Sequence, residues 1–224
     1  MQRFIDIILS GLALLVVLPL FVMVICILKI TGEGEVFFLQ KRIGINRNPF
    51  MVYKFATMLK NSENIGAGTL TMRNDPRVLP FGSLLRKTKI NELPQLMNVL
   101  IGDMSLIGPR PQDERCFCAF PPSSQNEIKK VQPGLSGIGS IIFRSEDELV
   151  NLSKDAEEFY DNVIMPYKGE LEEWFVHNNT LKNYLLLIFT TLWVVVFPNS
   201  KIVWRLFPKL PPPPKPLVSS LNYR

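Results

Sequence analysis

The sequence predicts a helix-rich α+β protein in which a small domain is attached to an N-terminal membrane-inserted helix. An uncharged apolar run over residues 7–28 is long enough to reach across the hydrocarbon core of a bilayer. Two short segments, at residues 36–40 and 50–55, are rich in β-branched and aromatic residues, which is typical of strands. Apolar residues recur at helical spacing in much of the remaining chain.

The N-terminal apolar run is expected to form a helix that Pro19 bends. A straight helix of this length would measure about 33 Å, and a proline near its centre removes one hydrogen bond and clashes with the carbonyl four residues earlier. Two arrangements remain open: a kinked helix that crosses the membrane, or two halves that enter and leave by the same face. Basic residues follow in a segment without acidic ones, which favours the cytoplasmic side for the rest of the chain.

A small sheet and a basic cluster are predicted between the membrane helix and the centre of the chain. The two strands are joined by a turn over residues 44–49. Residues 61–69 are polar and contain glycine, which predicts a loop. The basic cluster ahead of Glu92 indicates either a solvated face or a phosphate site. Its members are Arg73, Arg77, Arg86, Lys87 and Lys89.

The centre of the chain is the stretch over residues 87–96, where a carboxamide and a carboxylate stand side by side at Asn91 and Glu92. Leucine and methionine recur at helical spacing, so residues 93–100 are predicted to form a helix. Asn91 would then be its N-cap, and Glu92 would lie at the positive end of its dipole. From this decapeptide alone, capping is the favoured interpretation of both side chains, because such caps are frequent.

The C-terminal half is predicted to contain a short strand and three helices. The strand covers residues 140–143, after a proline-glycine turn. One helix runs over residues 149–163 and ends at Pro166, and another covers residues 169–178. The uncharged run over residues 184–197 is short for a membrane span and suits a buried or interfacial helix.

The chain therefore divides into three predicted parts. Residues 1–30 form the membrane helix, and residues 31–207 form the main domain with its interfacial helices. The proline-rich residues 208–224 are expected to be an extended appendage outside the core.

The composition limits the classes of function. The 224 residues carry a net charge of +5, which suits a phosphate-bearing substrate, a membrane surface or nucleic acid. The basic clusters lack the interleaved aromatic residues of a single-strand stacking platform, so nucleic acid is not expected as a partner. Three cysteines form neither a disulfide framework nor a zinc pattern. The single histidine, His177, excludes a site with two histidine ligands and makes a Ser-His-Asp hydrolase improbable.

Several ordered motifs together resemble the bacterial sugar transferase family, the small monotopic phosphoglycosyl transferases that act on polyprenol phosphate. The resemblance covers about residues 2–193, and it includes the N-terminal apolar segment with a central proline. Each motif alone is weak, and their order is specific. The motifs are Gln40-Lys41-Arg42-Ile43-Gly44, Pro49-Phe50, Tyr53-Lys54-Phe55, Asp75-Pro76-Arg77, Glu92-Leu93-Pro94-Gln95-Leu96-Met97-Asn98-Val99-Leu100, Gly102-Asp103-Met104-Ser105, Gly108-Pro109-Arg110-Pro111 and Pro133-Gly134-Leu135-Ser136-Gly137.

The resemblance implies a reaction and a location. A sugar-1-phosphate would pass from a UDP-sugar to undecaprenyl phosphate, with release of UMP, as the first membrane step of a capsule, O-antigen, exopolysaccharide or glycoprotein glycan. The membrane helix would be a re-entrant helix-break-helix with its break at Pro19. The protein would lie on the cytoplasmic face of the bacterial inner membrane, and the sequence leaves a homodimer open.

The resemblance also implies roles for individual residues. Arg110 would make forked hydrogen bonds to a phosphate, and Lys54 and Arg77, with Asp75 of the same motif, would complete the phosphate site. Mg²⁺ would bridge Glu92 and the diphosphate oxygens, since this ion prefers oxygen ligands and needs few of them from the protein.

One position departs from the family pattern, which has an Asp-Glu dyad where this chain has Asn91-Glu92. A neutral carboxamide cannot act as the anionic nucleophile that a covalent phosphosugar intermediate needs. Three interpretations follow, in order of preference. Glu92 takes over as the nucleophile while Asn91 orients a phosphate or metal ligand, the lipid phosphate attacks directly, or the protein is a catalytically silent membrane scaffold.

Overall fold

The computed structural model describes residues 1–31, 33–60, 62, 75–144, 146, 149, 156–221 and 223. Helix predominates in a mixed helix-and-sheet structure, which confirms the predicted class. The helices are α1 (Gln2–Ile30), α2 (Pro80–Lys87), α3 (Gln95–Ile101), α4 (Glu114–Cys118), α5 (Pro122–Ile128), α6 (Ile138–Ile142), α7 (Ala156–Phe159), α8 (Met165–His177), α9 (Leu181–Val196) and α10 (Ile202–Leu206). The strands are β1 (Phe37–Ile43), β2 (Pro49–Phe55), β3 (Ser105–Ile107) and β4 (Gly134–Ser136). Arg73 and the predicted loop over residues 61–69, apart from Ser62, lie outside the described residues.

Helix α1 passes through Pro19 without interruption. This differs from the helix-break-helix that the resemblance implies. Pro19 removes only one backbone donor, so the turns on either side of it can stay helical. Within the described residues, α1 is the one helix long and apolar enough to cross a membrane, and α9 is a shorter apolar helix.

The N-terminal end of α1 is attached to the domain by polar contacts. Arg3 donates to the carbonyl oxygen of Leu100, at the end of α3, over 2.8 Å. Asp6 is buried and accepts a hydrogen bond from the backbone N–H of Leu106 at 3.0 Å. The hydroxyl of Tyr184 in α9 donates to the same carboxylate. These bonds satisfy a carboxylate that would be costly to bury alone.

The C-terminal end of α1 is attached to the domain by apolar packing. Its buried side chains join one cluster with residues of β2, α2 and the segment before β1. The cluster consists of Phe21, Val24, Leu28, Val36, Phe55 and Leu85. Both ends of α1 therefore lie against the same domain.

Strands β1 and β2 form an antiparallel hairpin, as the sequence predicts. The register pairs Phe37 with Phe55 and Ile43 with Pro49. The connection contains Asn46 and Arg47, both in the left-handed region at φ 55° and 62°. The hairpin matters for the site because it carries Lys54 near the end of β2.

Strands β3 and β4 are parallel, with Ser105 beside Gly134 and Ile107 beside Ser136. A Cβ atom on Gly134 would lie 2.0 Å from the backbone nitrogen of Gly108, so only glycine allows this approach. The strand expected at residues 140–143 is wrong, because β4 lies earlier and the chain then forms α6. A short apolar run does not distinguish a strand from a buried helix by periodicity.

Pro166 begins a helix where the sequence predicts that it ends one. A π-helical segment, Tyr160–Ile164, joins α7 to α8, and Pro166 lies in the first turn of α8. A proline is tolerated there because its missing N–H has no partner to lose in the first turn.

The C-terminal tail is not the appendage that its composition predicts. Leu210, Leu217 and Leu221 are buried in the main apolar cluster. The hydroxyl of Tyr167 in α8 donates to the carbonyl oxygen of Pro211 at 2.9 Å. Proline-rich backbone is extended, but the leucines spaced along it supply enough apolar surface to dock it on the helices.

Candidate active site

The site is built around an ion pair between Glu92 and Arg110. Glu92 ends a 3₁₀ turn, Ile90–Glu92, and Arg110 follows β3, outside the helices and strands. Arg110 Nη2 donates to Glu92 Oε1 at 2.6 Å, and Nη1 donates to Oε2 at 3.2 Å. This bidentate geometry is the strong form of an arginine–carboxylate contact. The guanidinium group of Arg110, which was expected to bind a phosphate, therefore binds the carboxylate of Glu92.

The ion pair keeps Glu92 negatively charged. Burial raises the pKa of the Glu92 carboxyl, but the charge and hydrogen bonds of Arg110, together with Lys54 and Lys89, outweigh burial and lower it to about 2. Glu92 is therefore an anion at any physiological pH, surrounded by cationic groups. A cationic setting of this kind suits a substrate that carries a diphosphate.

Lys54 belongs to the same charge cluster. Its ammonium group donates to Gln40 Oε1 across the hairpin at 2.8 Å. Burial lowers the pKa of Lys54 to about 7, although the nearby charge of Glu92 opposes this. The ammonium group of Lys54 therefore loses its proton close to neutral pH. The structure thus brings Lys54, Glu92 and Arg110 into one charge cluster, and their roles towards a substrate stay predictions.

Asn91 is buried with an unsatisfied oxygen. Its residue exposure is 7%, and in the part of the chain that the structure describes its Oδ1 has no hydrogen-bond partner. The predicted N-cap role is wrong: α3 has Pro94 at its N-cap, and no side-chain cap is present there among the described residues. The reason is that a separate 3₁₀ turn precedes α3 and holds Asn91. A buried acceptor without a partner is costly, so this oxygen is available to a ligand.

Asp75 and Arg77 form a second, buried ion pair. Arg77 Nε donates to Asp75 Oδ1 at 2.8 Å, and Nη2 donates to Oδ2 at 2.6 Å. Arg77 Nη1 also donates to the carbonyl oxygen of Ser62 at 2.8 Å. This pair organises the segment after β2, where Leu79 N bonds to the carbonyl oxygen of Thr57. Its phosphate-binding role stays a prediction.

Magnesium binding at Glu92 stays a prediction. The structure holds no cluster of three acidic, histidine or cysteine ligands within its described residues. Mg²⁺ does not need one, since one or two protein oxygens suffice when substrate phosphates and water supply the rest. Glu92 and the unsatisfied Oδ1 of Asn91 are adjacent in sequence and provide an anionic and a neutral oxygen.

Comparison with known proteins decides the family. The bacterial sugar transferase family matches residues 1–198, which is most of the chain. The chain belongs to this family.

Curated members of the bacterial sugar transferase family match over part of their length. The exopolysaccharide production protein ExoY of Sinorhizobium fredii is 33% identical over 65% of this chain and 70% of its own. A UDP-N-acetylgalactosamine-undecaprenyl-phosphate N-acetylgalactosaminephosphotransferase of Aeromonas hydrophila is 34% identical over 85% of this chain. A UDP-glucose:undecaprenyl-phosphate glucose-1-phosphate transferase of Escherichia coli is 34% identical over 78% of this chain. The chain spans 42% and 37% of these last two proteins.

Sequence reasoning missed Asn98, which links α3 to β2, the strand that carries Lys54. Asn98 is fully buried in α3. Its Oδ1 accepts from Tyr53 N at 3.0 Å, and its Nδ2 donates to the carbonyl oxygen of Met51 at 2.8 Å. Since Lys54 follows Tyr53 on β2, Asn98 fixes the distance between the lysine and the segment that carries Glu92. A polar residue between Met97 and Val99 in an apolar helix was the available signal.

A second missed group lies behind Arg110. Glu172 and Lys168, both in α8, are almost fully buried. Glu172 accepts from the backbone N–H of Arg110. Their sequence context, between other charged residues, is typical of a solvated helix face, so no local pattern could have predicted their burial.

Proposed function

We propose that the protein transfers a sugar-1-phosphate from a UDP-sugar to undecaprenyl phosphate and releases UMP. The observation that carries this proposal is the cationic cluster of Lys54 and Arg110 around an ionised Glu92. Transfer of a phosphosugar from a diphosphate donor needs such a cluster to neutralise charge that builds up on the phosphoryl oxygens. The activities for which the Aeromonas and Escherichia relatives are named support it.

Glu92 is the proposed nucleophile. An oxygen of its carboxylate attacks the β-phosphorus of the UDP-sugar, the bond from that phosphorus to the bridging oxygen breaks, and UMP leaves with the electron pair. An oxygen of the lipid phosphate then attacks the acyl phosphate, which frees Glu92 and forms the diphosphate link. Arg110 exchanges part of its contact with Glu92 for the substrate phosphate, because its fork serves either group.

Asn91 supports this reaction without taking part in bond formation. Its unsatisfied Oδ1 accepts a hydrogen bond from the sugar or contributes an oxygen to a metal ion. Mg²⁺, held by Glu92 and Asn91, would neutralise the charge of the diphosphate. Lys54 binds the same diphosphate while the lysine is protonated.

The membrane arrangement is proposed to be one-sided. Both ends of α1 contact the same domain, through Asp6 at one end and Leu28 at the other. A helix that crossed the bilayer would carry one of these ends to the opposite side, away from the domain. Large apolar side chains along α1 and α9 are exposed and are available to lipid. We therefore infer insertion into the cytoplasmic leaflet of the bacterial inner membrane, with the site at headgroup level.

UMP release by the purified full-length protein tests the proposed function. The assay contains Mg²⁺, undecaprenyl phosphate and a panel of UDP-sugars, and it compares the wild type with Glu92→Gln and Asn91→Asp. Glu170→Gln is the matched control, because Glu170 is an exposed glutamate on α8. We expect turnover by the wild type and the control, and none by Glu92→Gln.

The alternative function is a catalytically silent membrane scaffold, which Asn91 favours because the carboxamide is not a nucleophile. Turnover by Asn91→Asp alone would establish that alternative. Turnover by Glu92→Gln at the wild-type rate would instead point to direct attack by the lipid phosphate.

A further inference from the structure

Glu172 is a buried carboxyl group directly behind the active-site arginine. It lies on α8, where its exposed fraction is 1%. Helix α8 packs against α6, and Glu172 lies between α6 and the segment that follows β3. A glutamate so far from solvent needs partners, since an isolated charge is costly to bury.

The contacts of Glu172 point to Arg110. Glu172 Oε1 accepts a hydrogen bond from the backbone N–H of Arg110 at 3.4 Å. Its other oxygen, Oε2, has no hydrogen-bond partner among the described residues. Gly139 of α6 makes room for the carboxylate, because a Cβ atom at that position would lie 2.4 Å from Glu172 Oε1. The site is therefore shaped to hold this carboxyl group against the Arg110 peptide.

The surroundings of Glu172 bring the pKa of its carboxyl group close to neutral pH. The charged groups that act on it are Lys168 on its own helix and Arg110, and Gly139 of α6 lies against its carboxylate. The ammonium group of Lys168 is bound to both oxygens of Glu146, at 2.9 and 2.8 Å. Burial raises the pKa of Glu172 to about 7, against the opposing charges of Lys168 and Arg110.

We propose that Glu172 is a positioning residue of the active site, which holds the Arg110 peptide so that the guanidinium stays aligned with Glu92 and with the substrate diphosphate. Arg110 is then fixed at two points, its backbone by Glu172 and its side chain by Glu92. An arginine held only by its side chain would pay more entropy to reach the same geometry in each turnover. The kinetic consequence of this proposal rests on the proposed function, whereas the contact itself does not.

The contact is tested first by a measurement that needs no turnover. Full-length protein in detergent micelles is labelled with 15N-arginine, and the Arg110 amide resonance is assigned with Arg110→Lys. We expect this amide to shift with pH, with a midpoint at about 7, because Glu172 Oε1 gains charge as it loses its proton. Glu172→Gln should abolish the shift. Glu170→Gln and Lys54→Met should retain it, which separates Glu172 from the other group that titrates near this pH.

The kinetic arm compares Glu172→Ala, Glu172→Gln and Glu170→Ala. Glu172→Ala is expected to lower kcat/KM by about tenfold, since the Arg110 peptide loses its acceptor. Glu172→Gln keeps an acceptor oxygen and should recover most of that loss. Glu172→Gln should also remove the gain in activity that ionisation of Glu172 brings, which in the wild type opposes the loss caused by deprotonation of Lys54 near the same pH.

The outcomes separate the two proposals. An Arg110 amide that does not respond to pH, or that responds equally in Glu172→Gln, would overturn the positioning role. Equal kcat/KM and pH profiles in Glu172→Ala, Glu172→Gln and the control would overturn it as well. If the wild type turns over no UDP-sugar while the amide shift is present and depends on Glu172, the proposed function fails and the Glu172–Arg110 contact stands.

Discussion

The pH dependence of stability should report the Glu92–Arg110 ion pair. The pKa of Glu92 falls from its ordinary value of 4.5 to about 2 in the folded protein. Because the folded pKa is the lower one, the pair stabilises the fold fully above pH 4.5, and the contribution is lost as the pH falls through 4.5 towards 2. The difference corresponds to about 3 kcal/mol. Partial exposure of both side chains reduces this to about 2 kcal/mol.

Urea unfolding of the full-length protein in mixed micelles measures this contribution. The free energy of unfolding is determined between about pH 3 and 7 for the wild type, Glu92→Gln and the exposed control Glu170→Gln. We expect the wild type to exceed Glu92→Gln by about 2 kcal/mol above pH 5 and the difference to shrink as the pH falls. A difference that stays constant with pH, or that matches the Glu170→Gln control, would refute the ion-pair argument.

Three further predictions concern the lysine, the buried asparagine and the membrane helix. Because the pKa of Lys54 is about 7, KM for the UDP-sugar should rise as the pH increases through 7, and Lys54→Arg should flatten that rise in a steady-state assay. Asn98→Ala should lower the free energy of unfolding by about 2–4 kcal/mol in urea, since it leaves two part-buried backbone groups of β2 without their partner. Asn126→Ala, at an exposed site, should change little. Asp6→Ala should loosen the N-terminal end of α1 and speed proteolysis there, while Asp6→Asn retains part of the contact. Equal cleavage of the wild type and both variants would contradict the docking of α1.

The sequence predicts the elements whose patterns are local. The β1–β2 hairpin follows from β-branched and aromatic residues on either side of a turn, and α1 and α9 follow from uncharged apolar runs. Lys54, Glu92 and Arg110 lie in three separate motifs, and the resemblance brought them into one predicted site. The ion pair between two of them needed the structure, because it depends on the packing of β3 beside α3.

The errors come from features that tertiary contacts decide. The leucines of the tail are buried because α8 and α10 offer them an apolar surface, which composition alone does not reveal. Glu172 lies among charged neighbours in sequence. It is nevertheless buried, because Gly139 of α6 has no side chain and leaves space for its carboxylate. Each case depends on a partner that is distant along the chain.

The most direct test of the central claim follows phosphorus from donor to lipid. UDP-sugars labelled at the β-phosphorus are incubated with the wild-type protein, Mg²⁺ and undecaprenyl phosphate, and the lipid fraction is analysed for label. The account predicts label in an undecaprenyl diphosphate sugar, formed by the wild type with Asn91 in place and lost in Glu92→Gln. Label in the lipid only with Asn91→Asp would contradict it and would make the natural chain a silent member of its family.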